Sequence, residues 1–296
     1  MLRFDPTELR KYAGLTLLAR NVVEGFLTGV HRSPFKGFSV EFSEHRQYTP
    51  GDEIRYIDWR AYGKTDRYYI KEFEEETNLK AYLLVDASGS MAYKGKGKRP
   101  SKFQYAQYVA ASLSYMMLHQ LDAVGLITHD TKVRSIIPPK ANPKHLLNLL
   151  RTLESTKPGG ETGMAAIWDE LAGHYLKRRG MVIILSDFFD DLDELTQALR
   201  HLKHRNHEVI LFHVLDPDEL EFPFGRLTQF RNLERGDDKR MVDARRVREE
   251  YLRNFDEFRT QLRRRAGNMH MDYHLLRTDQ PVDRALGIYL SRRQHY

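Results

Sequence analysis

Four unbroken apolar runs constrain this chain more than any other feature: AYLLVD ending at Asp86, AVGLIT ending at Thr128, MVIILSD ending at Asp187 and EVILFHVL ending at Leu215. A strand with one wet face alternates apolar and polar residues, so continuous runs of this length predict strands buried on both faces. Helical patterns lie between them. In the first, Phe103, Ala106, Val109, Ala110, Leu113, Met117 and Leu121 recur at helical spacing. Ser101 and Gln104 supply a capping box there, and Pro100 prevents an earlier start, so residues 87–100 are expected to form a loop. Further helices are expected at about 143–154, 163–178, 192–204, 244–266 and 281–293, with a short strand at VRSIIP and a late one at Met271–Leu276. This alternation predicts an α/β fold built on a mainly parallel sheet flanked by helices.

Before residue 79 the character changes. Leu9, Tyr12, Leu17, Val22, Val23, Phe26, Leu27 and Val30 suggest amphipathic helix, and GFSVEFSEHRQY then alternates with Phe38, Val40 and Phe42 on one side. The turn residues TPGDE and the aromatic-rich IRYIDWRAYGKTDRYYIKEFEEE follow. The expected organisation is an accessory module over residues 1–78 and an α/β domain over 79–296, with an insertion at about 216–243.

Composition narrows the chemistry. With 296 residues and 41% apolar content the chain can bury a core without staples. The absence of Cys removes disulfides, thiolate zinc sites and Cys nucleophiles together. No secretory signal is apparent and no stretch approaches 18 apolar residues, so a cytoplasmic protein is expected. The net charge of +6 comes from interspersed signs, which is poor support for nucleic-acid binding. The densest basic stretches, KGKGKRPSK (Lys94–Lys102) and Arg263–Arg265, are read as a solvated loop and a helix end whose cations suit the dipole.

The first run leads directly into Asp86, Ser88 and Ser90. On extended chain, residues two apart point the same way, so one carboxylate and two hydroxyls converge beyond the strand. Hard oxygens in small number suit Mg²⁺ or Mn²⁺ better than zinc. Asp187 closes another core strand and is expected to reach the same point, since ligands of open α/β sheets gather beyond the carboxyl ends of strands. In KPGGETGMAAIW, Gly159 and Gly160 permit a tight approach, and Thr162 could add a hydroxyl or simply cap a helix.

Other chemistry fits less well. A phosphoaspartyl transferase would want an acid where Ser88 stands. GKGKRPSK lacks the spacing of a phosphate-binding loop, and Ser88, Ser90 and Ser101 have no base at a recognisable spacing. His201, His204 and His207 are read as solvated rather than as a zinc set. His270 and His274 are assigned to packing or surface. Asp52, Arg55, Asp58, Trp59 and Arg60 read as a structural network tying the accessory module to the sheet. The stripe Val247, Tyr251, Phe255, Phe258 and Leu262 reads as an ordinary helix packed on a core.

The set Asp86-x-Ser88-x-Ser90, Thr162 and Asp187 resembles the metal-ion-dependent adhesion site of von Willebrand factor A domains, over roughly residues 79–292. RQYTPGDEIRYIDWRAYGKTDRYYIKEFEEE followed by LLVDASGSM more narrowly resembles the bacterial family called domain of unknown function 58. The resemblance implies a doubly wound sheet with a divalent cation at its top. Ser88, Ser90 and Thr162 would contact that cation, and Asp86 and Asp187 would act largely through water. Glu161 departs from the pattern by standing between the glycines and Thr162, where it could supply a carboxylate instead.

Hydroxyl-rich ligation leaves such a cation poorly neutralised, so it attracts an acidic oxygen from outside. The function expected is therefore non-enzymatic: a magnesium-dependent protein-binding module. The resemblance further implies a MoxR-type AAA+ ATPase as partner, in chaperone-like assembly. The alternative is a metal-dependent phosphoesterase or hydrolase using Asp86 and Asp187.

Overall fold

A computed structural model of the chain describes residues 13–29, 42–47, 59, 62–63, 68–73, 79–161, 163–176, 179–234 and 239–293. In chain order the elements are α1 (Ala13–Gly29), β1 (Phe42–Gln47), β2 (Tyr69–Phe73), β3 (Lys80–Asp86), α2 (Lys102–His119), β4 (Ala123–His129), β5 (Val133–Lys140), α3 (Pro143–Ser155) and α4 (Met164–His174). They continue with β6 (Met181–Ser186), α5 (Leu192–His204), β7 (Glu208–Leu215), α6 (Pro217–Glu221), β8 (Leu227–Arg231), β9 (Lys239–Asp243), α7 (Ala244–Asn268), β10 (Asp272–Arg277) and α8 (Asp283–Arg293).

Six strands form one sheet in the order β10-β7-β6-β3-β4-β5. Every neighbouring pair is parallel except β4 with β5, at one edge. Pro138 and Pro139 sit on that edge strand, where a missing N–H is tolerated. The four apolar runs supply the four central strands, and β3, β4 and β6 are almost wholly buried. This is the doubly wound α/β class.

Alternation along each strand divides the core in two. Leu83, Val85, Ile183, Leu185 and Phe212 face α1, α2, α3 and α8. Leu84, Ile127, Val182, Ile184 and Leu211 face α4, α5 and α7. Leu15, Ala19 and Val23 of α1 join the first cluster, so this early helix packs on the sheet's own helical layer. Helix α2 starts as its caps dictate: Ser101 Oγ accepts from Gln104 N at 3.1 Å, and Gln104 Oε1 accepts from Ser101 N at 3.0 Å. Its buried stripe stops before Leu121, which lies past the helix at φ 63° and is exposed, contrary to the periodicity.

Residues 216–243 carry α6 and a two-stranded antiparallel hairpin of β8 and β9. A second antiparallel pair joins β1 and β2. Asp52, Arg55, Asp58 and Arg60 lie outside the described residues, as do Phe38 and Val40. Trp59 is exposed and packs edge-on to Tyr62, which stacks on Tyr68 at 4.5 Å.

Candidate functional site

From β3 the chain winds outward through β4 and β5, then crosses back to β6 and winds the other way through β7 and β10. The crevice between the ends of β3 and β6 is therefore the topological switch point, where open α/β sheets bind their ligands. Asp86 ends β3 and Asp187 follows β6.

Backbone and hydroxyl donors fix the Asp86 carboxylate. One oxygen accepts from Ser88 N at 2.8 Å and the other from Ser186 Oγ at 2.6 Å, while Ser186 Oγ itself accepts from Phe188 N at 2.9 Å. A 3₁₀ turn, Gly89–Ala92, then carries Ser90 back over the strand end. The hydroxyls of Ser88 and Ser90 stand 3.1 Å apart, and Ser90 lies close enough to Asp187 to help hold its carboxyl low. Asp86, Ser88, Ser90 and Asp187 thus meet at one point.

The glycine loop closes on this turn. Gly159 N donates to Ala87 O at 2.9 Å and Gly89 N to Gly160 O at 3.0 Å. Arg134 holds the loop from outside through Asp130 and the carbonyls of Lys157 and Gly159. Gly160 takes φ 87°, a left-handed conformation that glycine adopts without strain. Glu161 follows it on the exposed surface, and Thr162 lies outside the described residues.

Sequence reading missed the site's principal cation. Lys102, in the first turn of α2, is only 2% exposed, and its ammonium bonds Asp187 at 2.7 Å and Glu219 at 2.6 Å. A lysine in the first helical turn opposes the macrodipole, so it needs acids close by; that was the available signal. Asp216-x-x-Glu219 is likewise a capping box, formed in full at the start of α6. Asp216 and Asp218 pin the loop after the serines by accepting from Gly95 N, Arg99 and the Tyr93 hydroxyl. Arg99 is thereby taken out of the basic loop, while Lys94, Lys96 and Lys98 stay exposed.

Burial and the neighbouring Asp187 charge push the Asp86 carboxyl up to about 7. Burial would raise Asp187 as well, but the Lys102 ammonium outweighs it and holds this carboxyl below its usual range. Burial alone would lower Lys102, yet Asp187 and Glu219 keep it charged. Asp187 and Glu219 share one ammonium and Asp86 stands beside Asp187, so the fully ionised site has a deficit of positive charge. A small hard cation fits that deficit, and the two hydroxyls, hydrogen-bonded to each other at 3.1 Å, are close enough to share one ion. Among the described residues no group of three or more His, Cys, Asp or Glu is arranged to hold a metal, so the hydroxyls carry the case for a cation.

Asp86 is fully buried with both oxygens engaged, an arrangement that suits a positioned anion and hinders a nucleophile. The histidines do not form a zinc set: His201 pairs with Asp169 at 2.7 Å, while His207 bonds the carbonyls of Leu176 and Gly180. His207 is buried rather than solvated, because its ring reaches from the α5–β7 turn to the carbonyls that flank the α4–β6 connection. The α7 stripe also departs from expectation. Leu262 packs into the core, whereas Val247 and Tyr251 line an open pocket beside Ser90 and Asp187.

Residues 44–261 match the family described as "Protein of unknown function DUF58". The chain belongs to that family. Rv1480 of Mycobacterium tuberculosis, an uncharacterized protein, is 27% identical to this DUF58 chain over 221 residues, spanning 74% of this chain and 68% of the relative. An aerotolerance-related membrane protein from Bacteroides fragilis shares the fold at a TM-score of 0.51 and 16% identity, covering 74% of this chain and all of its own. A solved VWA domain, that of SpRpn10, aligns over 70% of this chain and 93% of its own, at 12% identity and a TM-score of 0.40. No helix among the described residues of this DUF58 chain is long and apolar enough to cross a membrane.

Proposed function

We propose that this DUF58 protein is a non-enzymatic, cytoplasmic protein-binding module that works through a divalent cation, Mg²⁺ first and Mn²⁺ second. The reading is supported above all by two serine hydroxyls 3.1 Å apart, bracketed by two buried carboxylates at the switch point of the sheet. Ser88 and Ser90 would hold the cation directly and Asp86 and Asp187 would balance its charge, with Thr162 or Glu161 completing the set. When bound, the cation supplies an open position for an acidic oxygen of a partner. The chain's own residues build the rest. Ser186 and the Ser88 amide orient Asp86, Lys102 orients Asp187, and the Gly159–Gly160 loop holds the serine turn in place.

The partner that the family resemblance favours is a MoxR-type AAA+ ATPase, in a chaperone-like assembly. Titration calorimetry with MgCl₂ tests the cation: wild type takes up about one equivalent, and Ser88→Ala/Ser90→Ala, still folded by circular dichroism, binds at least about tenfold more weakly. No uptake by wild type, or unchanged uptake by the variant, would overturn the reading. Co-elution with the purified ATPase, with magnesium and with chelator, tests the partner; elution that chelator leaves unchanged would show that no metal bridge joins the two.

A further inference from the structure

The cation site opens into a cavity of about 590 Å³, a size typical of sites that enclose ligand groups. Its floor is Ser90, Asp187 and Lys102, and its wall is a ring cluster from residues 222–251. Phe222 anchors that wall: its ring lies 4.6 Å from Tyr251, 4.9 Å from Phe224 and 5.8 Å from Phe230. Aromatic rings left facing an open cavity make a surface that gains by being covered. The rim mixes apolar Phe189, 62% exposed, and Leu233, 42% exposed, with the polar side chains of Arg231, Asn232 and Arg240.

Charge and shape together define an occupant. Two of the three N–H donors of the Lys102 ammonium are taken by Asp187 and Glu219, which leaves one for an incoming acceptor. Asp187, Asp218 and Glu219 line the same end of the cavity, so an anion there would need the bound cation as well as that donor, while an apolar group beside it would lie against the rings. A second cavity of about 390 Å³ adjoins the first, sharing Phe189 and Tyr251 and extending to Phe255 and Phe258. Two adjoining apolar cavities beside one anion site suit successive side chains of an extended peptide better than a compact small molecule.

We propose that the groove takes a peptide segment in which an acidic residue stands next to a bulky apolar one, with the carboxylate at the Ser90–Asp187–Lys102 floor and the apolar side chain against Phe222, Phe224, Phe230 and Tyr251. This rests on the cation reading above and adds selection of the neighbouring residue.

The test uses fluorescein-labelled peptides GSFDSG and GSDFSG, with GSADSG, GSDASG, GSFNSG and GSDFSG carrying Asn for Asp as controls, titrated by anisotropy in magnesium. Magnesium uptake is measured separately by calorimetry. At least one of the two Phe–Asp orders is expected to bind, and its Ala and Asn counterparts to bind about tenfold or more weakly. Phe230→Ala should erase the preference for Phe over Ala while retaining magnesium uptake; Phe224→Ala is the second probe should the first not fold. Uptake of magnesium by wild type with no preference for Phe, or a preference that survives in the folded variant, overturns the groove and leaves the cation reading standing. Absence of magnesium uptake overturns both.

Discussion

Replacing Asp86 with Asn isolates what the site costs the fold. In the folded chain this carboxyl is pushed from its ordinary 3.8 up to about 7. At about 1.4 kcal/mol per pH unit, that rise corresponds to roughly 4 kcal/mol of folding stability forfeited when the group ionises. The sign follows from proton counting. Between about pH 4 and 7 the folded state binds more protons than the unfolded chain, so this group's effect is to lower stability as pH rises through that window.

Asn reproduces the neutral form. Its oxygen can accept from Ser88 N and its amide can donate to Ser186 Oγ, whose hydroxyl can turn to Met164 Sδ, 3.0 Å away. With divalent cations chelated, Asp86→Asn should therefore be more stable than wild type at pH 8, by about 2–4 kcal/mol, and equal to it near pH 4. Magnesium should stabilise wild type and leave the variant unchanged. Urea denaturation followed by circular dichroism at several pH values reads both effects. A variant less stable than wild type at pH 8 in chelator would show that the hydrogen bonds to Asp86 outweigh the cost of desolvating its charge.

Three further outcomes are expected. Lys102→Met should cost about 3–5 kcal/mol at pH 7, because Asp187 and Glu219 lose a buried counter-ion; since Lys102 depresses Asp187, the deficit should shrink as pH falls through the carboxylate range, and a deficit independent of pH in urea titrations would contradict the pairing. Gly89→Ala should weaken both fold and magnesium uptake, since a Cβ there would lie 2.5 Å from Leu233 O and 2.9 Å from Gly160 O; a melting temperature within experimental error of wild type would show that the loops do not pack this closely. Asp216→Ala should cost about 1–2 kcal/mol through the lost helix cap and should speed proteolysis at Lys94–Lys98, because the same carboxylate holds Gly95 and Arg99; an unchanged cleavage rate would argue that the loop is held elsewhere.

The sheet was legible in the sequence because burial on both faces leaves an unbroken apolar signature, and Ser101, Gln104 and Pro100 announce the start of α2 through local hydrogen bonding alone. Asp86, Ser88 and Ser90 were legible because they lie within five residues of one another, although the 3₁₀ turn Gly89–Ala92, and not extended chain, brings Ser90 over the strand end. Lys102, Glu219 and Asp216 were not. Lys102 stands 85 residues from Asp187 and 117 from Glu219 in the chain, and no local rule pairs charges across such gaps. Tyr251 reads as core by periodicity, and only the hairpin from 227 to 243 and the turn at Phe222 leave its ring at a cavity wall.

What the sequence by itself determined is the alternation that builds the sheet and the chemistry placed at the end of its first core strand, since both depend on residues within a few positions of one another. Tertiary structure alone decided which ammonium sits between which acids and where the aromatic wall stands. Desolvation and Coulomb attraction act through space, and their partners exist only once the chain has closed.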